Sequence, residues 1–101
     1  MKLAIAILII LLSTVFSFER PADTRYFELR IYYCHPGKLE GLQQRFQNHT
    51  VRLFEKHGME NIGYWVPVTN DRNAFYYILA YPDKHSQRKS WKSFQADPEW
   101  K

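Results

Sequence analysis

His49 is the residue whose type and position come nearest to chemistry. Leu39, Leu42, Phe46, Leu53 and Phe54 recur at three, four and seven residue spacings, and His49 falls between Phe46 and Leu53, near that apolar stripe. An imidazole held there changes charge near neutral pH and can act as a general base. Tyr64 or Trp65 from one β-prone segment and Tyr77 from the next could face it as aromatic walls, the usual lining of a small-ligand pocket. A hydrogen-bonded, half-buried histidine with no reaction to perform accounts for the same pattern, so His49, Tyr64, Trp65 and Tyr77 stand as candidates only.

The remaining reactive side chains do not assemble into a motif. His35, His49, His57 and His85 lack metal-ligand spacing, and Cys34 and His35 are neighbours that point to opposite strand faces. His49 and His57 lie about 12 Å apart by helical rise, too far to share one ion. His57 precedes a helix-ending glycine, where an imidazole complements the terminal carbonyls. No Ser-His-Asp order, phosphate-binding glycine loop or paired carboxylate motif is visible, which argues against hydrolase, kinase and glycosidase chemistry. Neither a metal nor a cofactor is expected. Cys34 is the only thiol, so no intrachain disulfide can hold the fold. The sequon Asn48-His49-Thr50 falls inside the predicted helix.

Five elements position these residues. From Tyr26 to Tyr33 the chain alternates, with Phe27, Leu29, Ile31 and Tyr33 on one face and Tyr26, Glu28, Arg30 and Tyr32 on the other, as in a strand. Glu28 and Arg30 read as a solvent-exposed pair, with a buried interface pair as the alternative. His35-Pro36-Gly37 breaks the strand, and a long amphipathic helix follows and stops at Gly58. Residues 62–68 and 74–81 are β-prone and flank the turn-rich Thr69-Asn70-Asp71-Arg72-Asn73, which predicts a hairpin. Asp83 can cap a last helix with Trp91 and Phe94 on one side and Lys84, Arg88, Lys89 and Lys92 on the other, a basic cluster that reads as a solvated face. Asp97-Pro98 ends it. Strand, helix, strand, strand, helix is an α+β split β-α-β plan lacking its fourth strand.

The N-terminus reads as an export signal over residues 1–17. Lys2 precedes an unbroken apolar run from Leu3 to Leu12, and small residues lead to a cleavage point after Ser17. Residues 18–25 form a short linker and 26–101 the domain. The expected location is secreted or periplasmic, with an uncleaved N-terminal membrane anchor as the alternative. Membrane contact is expected only through this signal. The chain carries 14 Lys and Arg against 10 Asp and Glu, a net charge of +4 spread along its length, too mild to suggest a nucleic-acid partner.

Several blocks together resemble a known family: Tyr26-Phe27-Glu28-Leu29-Arg30-Ile31-Tyr32, Pro36-Gly37-Lys38-Leu39, Leu53-Phe54-Glu55-Lys56-His57-Gly58, Gly63-Tyr64-Trp65 and the run from Ser90 to Trp100. In this order they are similar to a NIPSNAP domain, and the Trp91-to-Trp100 block is the most specific part. The resemblance implies a ferredoxin-like fold of the dimeric α/β-barrel type, in which two subunits press their sheets together. It implies that Tyr26, Glu28, Arg30 and Tyr32 form that interface. It also implies a further helical stretch and a last strand beyond Trp100, so the domain reads as incomplete at its C-terminus.

Three functions follow as expectations. The first is a homodimerising module that binds a small apolar ligand, with no identifiable catalytic motif. The second is a cofactor-independent or haem-linked oxygenase-like enzyme with a buried His49 as base or ligand. The third is an interaction protein whose open sheet edge receives a partner's strand.

Overall fold

The computed structural model describes residues 22–100. The expected signal segment, residues 1–17, and the first part of the linker lie outside the described residues. Among the described residues no helix is long and apolar enough to cross a membrane.

The chain forms β1 (Tyr26–Tyr33), α1 (Leu39–Arg45), a π-helical turn (Phe46–Thr50), α2 (Val51–Lys56), β2 (Glu60–Trp65), β3 (Ala74–Tyr81) and α3 (Lys84–Ala96). The strands make an antiparallel sheet in the order β1-β3-β2. The fold is therefore α+β and ferredoxin-like, with β3 central and β1 and β2 at the edges among the described residues.

Local chemistry explains the boundaries. Gly58 takes φ +79 after α2, the left-handed conformation that glycine adopts without a Cβ penalty. Asn70 closes the hairpin by accepting from the Ala74 N–H at 2.7 Å and donating to the Ala74 carbonyl at 3.0 Å. The Asp83 carboxylate accepts the Ser86 N–H at 2.7 Å and caps α3. β2 runs over Glu60–Trp65 rather than 62–68. A bulge between Asn61 and Gly63 lets the strand start earlier, and Pro67, which has no N–H to give a ladder, lies beyond its end.

The helices cover one face of the sheet. Phe46 sits at the centre of an aromatic core, its ring within 6.1 Å of Tyr32, 6.0 Å of Phe54, 5.8 Å of Tyr64, 5.0 Å of Phe75 and 5.2 Å of Tyr77. Burying such a ring contributes a few kcal/mol, roughly 1.5–3 by area alone.

The register decides which face of β1 is covered, and it corrects the expected interface. Glu28 pairs with Leu79, Arg30 with Tyr77 and Tyr32 with Phe75, and paired residues share a face. Leu79, Tyr77 and Phe75 are buried under the helices, so Glu28, Arg30 and Tyr32 face inward. The uncovered face carries Phe27, Leu29, Ile31 and Tyr33 instead, with Leu29 57% and Tyr33 53% exposed. Tyr76 and Ile78 of β3 and Trp65 of β2 continue that face, with Trp65 stacked on Tyr76 at 5.8 Å.

Candidate functional site

The long helix expected from the sequence is continuous in direction but not in pitch. The Val51 N–H reaches back five residues to the Phe46 carbonyl, which widens the turn over Phe46–Thr50. In a wider turn the residue four places on, rather than three, lies over Phe46. Thr50 is accordingly buried at 1% exposure, and His49 is turned out to solvent.

Beside this turn the helix and the sheet part to leave a cavity of about 280 Å³ lined by Gln43, Phe46, Gln47, Val51, Tyr64 and Phe75. Four of these walls are apolar or aromatic, and the two glutamines are on the exposed side of the helix. Tyr64 is held in place on several sides. Its ring stacks on Tyr77 at 5.2 Å, and its hydroxyl donates to Asn61 Oδ1, while Asn61 Nδ2 donates to the Val51 carbonyl at 3.0 Å. Burial, with a smaller contribution from the neighbouring Tyr32, pushes the Tyr64 phenol well above its ordinary pKa, so it stays neutral.

A second, polar constellation occupies the other end of the same sheet face. Glu28 accepts four hydrogen bonds: from Tyr81 Oη at 2.7 Å, Trp91 Nε1 at 2.9 Å, Gln87 Nε2 at 3.1 Å and Arg30 Nη1 at 3.2 Å. Arg30 Nε also donates to Tyr77 Oη at 3.0 Å, and the Tyr77 and Tyr32 hydroxyls are 2.8 Å apart. The guanidinium lies over the Trp91 ring at 4.4 Å. Burial pushes the Glu28 carboxyl up, but the bonds from Tyr81 and Trp91 and the Arg30 charge outweigh it and hold it below the usual range. Burial raises the Tyr77 and Tyr81 phenols, helped by the Tyr32 hydroxyl for the first and Glu28 for the second. The site is thus a fixed ion pair among neutral phenols.

The profile of the NIPSNAP family matches residues 27–101, nearly the whole of the described chain. The chain belongs to the NIPSNAP family. Solved structures agree on the fold. A NIPSNAP domain protein from Burkholderia xenovorans superposes with a TM-score of 0.64 at 22% identity over 73% of this chain and 72% of that one. A NIPSNAP family protein of unknown function from Agrobacterium tumefaciens gives 0.66 at 20% identity, over 73% and 67%. Another from the same organism gives 0.69 at 17% identity, over 75% and 72%. A search of curated proteins finds no match.

Within this NIPSNAP domain the four candidates read from the sequence do not share one site, although Tyr64 and Tyr77 stack on each other. Tyr64 lines the apolar cavity. Tyr77 is fully buried behind it and turns its hydroxyl to Arg30 and Tyr32. Trp65 follows Tyr64 directly and so lies on the opposite, open face of the sheet. His49 is exposed and does not line the cavity. The Glu28 and Arg30 pair, expected in solvent, is the centre of the polar constellation.

The sequence also hid a Ser-His-Asp contact. His57 Nδ1 meets Ser93 Oγ, and His57 Nε2 meets Asp97 Oδ2 at 2.7 Å. Asp97 also takes Lys56 Nζ at 2.8 Å and the Glu99 N–H at 2.9 Å. These groups tie the end of α2 to the end of α3. Lys56, the Glu99 N–H and His57, in that order, hold the Asp97 carboxyl well below the usual carboxylate range. With Lys56 and the Glu99 N–H on the same carboxylate, Asp97 acts here as a junction between helix ends.

Proposed function

We propose that this NIPSNAP domain is an exported homodimerising module that holds a small apolar ligand between its sheet and its helices. The observation that carries the reading is the uncovered sheet face, where Phe27, Leu29, Ile31, Tyr33 and Trp65 present large apolar side chains to solvent. A contiguous face of this kind is a liability for a monomer and suits an isologous contact with a second copy. The cavity beside Phe46 and Tyr64 has the size and lining of a site for a compact apolar molecule. Export rests on the apolar run from Leu3 to Leu12 and the small residues that follow it.

The oxygenase reading needs His49 buried against aromatic walls, and the exposed His49 gives it no support. The interaction reading keeps one observation: β1 is paired on one side only among the described residues, so its other edge offers a backbone ladder. It commits to a strand supplied beside β1 by a partner.

Sedimentation of the full chain tests the main reading. A dimer that dissociates when the open face is charged supports it, and a monomer at tens of micromolar overturns it.

A further inference from the structure

We propose that the cleft between Arg30 of β1 and the outer turns of α3 is a binding site for a small organic dianion, a dicarboxylate or a phosphate monoester. The cleft has a volume of about 390 Å³ and is lined by Arg30, Gln87, Arg88, Trp91, Lys92 and Gln95. It is separate from the apolar cavity and from the open sheet face, so it stands or falls independently of the function proposed above.

Three cations converge there from two elements. Arg88 and Lys92 are four residues apart on α3 and so share a helix face. Neither forms an ion pair among the described residues. Arg30 comes from the strand beneath them, and its position is set rather than sampled. Its Nη1 is held by Glu28, its Nε by the Tyr77 hydroxyl, and its plane by Trp91. Its Nη2 makes no hydrogen bond among the described residues, so the guanidinium of this lining residue keeps donor capacity while its plane is already fixed. Fixing the guanidinium beforehand removes much of the ordering cost that binding would otherwise incur.

No acidic residue lines the cleft among the described residues, and Glu28, the carboxylate paired with Arg30 behind it, already accepts four hydrogen bonds. Tyr81 and Trp91 donate to Oε1, and Gln87 and Arg30 donate to Oε2. One carboxylate against three cations leaves a net positive cleft that a doubly charged ligand matches better than a singly charged one. Gln95 adds an amide that can donate to a second acidic group. The basic cluster on α3 is therefore divided: Arg88 and Lys92 line the cleft, whereas Lys84 and Lys89 do not.

Titration calorimetry of the full chain at low salt, with succinate, phenyl phosphate and acetate as probes, tests the site, and NMR follows the Trp91 indole N–H. The expected result is that one or both dianions bind and shift the indole signal, with acetate roughly tenfold weaker. Binding should fall by about tenfold or more in the Arg88→Gln/Lys92→Gln variant, which changes only exposed side chains and keeps the fold. Lys84→Gln/Lys89→Gln removes equal charge from the same helix outside the cleft and should leave binding within about twofold. The preferred dianion decides between carboxylate and phosphate. Absence of binding by both dianions, or equal loss in the two double variants, overturns the proposal.

Discussion

Trp91 on α3 donates its indole N–H to Glu28 on β1 at 2.9 Å, so the first strand and the last helix share one carboxylate. Trp91→Phe keeps the ring packing and removes that donor, while Tyr81, Gln87 and Arg30 still satisfy Glu28. The expected loss is about 1–2 kcal/mol. Glu28→Ala strands the Arg30 guanidinium and three donors together and should cost roughly 3 kcal/mol, the lower end for a broken buried pair because the site keeps some solvent contact. Urea midpoints at constant m-value measure both, and equal losses would contradict the shared-carboxylate account.

His49→Ala should change stability by no more than about 0.5 kcal/mol, since the side chain is exposed. Phe46→Ala, three residues earlier, should lose about 3–5 kcal/mol, because it empties the centre of the aromatic core. Thermal melts of the two variants decide the matter. A destabilised His49→Ala would place the imidazole inside.

Alternation and breakers made much of the fold legible. Tyr26–Tyr33 and Ala74–Tyr81 have the strand bounds read from their residues, and Asp83 and Gly58 mark the helix ends where capping chemistry puts them. The π turn was not legible, because a 3.6-residue period fits Leu39, Leu42, Phe46 and Leu53 with or without it, and only Thr50 against His49 differs. The inward face of β1 was not legible either. Both of its faces are rich in aromatics, and the register against β3 is a long-range fact that no local pattern states. The Glu28 constellation draws on residues 53 to 63 positions apart in sequence, so its sole local trace was a charged pair in an aromatic strand.

Leu29→Glu tests the open face. The side chain is 57% exposed in a single copy, so the isolated domain should lose little, within about 0.5 kcal/mol. In a symmetric dimer the substitution places two carboxylates in one apolar contact, where each unpaired charge costs several kcal/mol. Sedimentation should show the dimer replaced by monomer while the circular dichroism spectrum is unchanged. A dimer that persists would move the interface elsewhere.

Val51→Phe tests the apolar cavity. The added ring projects into a space of about 280 Å³ bordered by Phe46 and Tyr64, and it fills much of the volume an apolar ligand would take. Binding of a small hydrophobic fluorophore should fall by about tenfold, with the melting temperature held or raised, as expected when a cavity is filled without strain. Unchanged fluorophore binding would assign the signal to the open sheet face instead.

Asp97 predicts an acid limb of stability. Its carboxyl is held below the usual range by Lys56, the Glu99 N–H and His57, so the folded state binds the proton less readily than the unfolded chain. A depressed carboxylate stabilises the fold above its ordinary pKa, and that contribution disappears as pH falls towards the depressed value. The native urea midpoint should therefore drop between about pH 5 and pH 2, and Asp97→Asn, which cannot titrate, should show a shallower drop over the same window. At neutral pH the variant should be the less stable of the two, because Lys56 and His57 lose their shared acceptor. Parallel acid limbs in the two proteins would assign the acid sensitivity to the other depressed carboxylates, Glu28 and Asp83 among them.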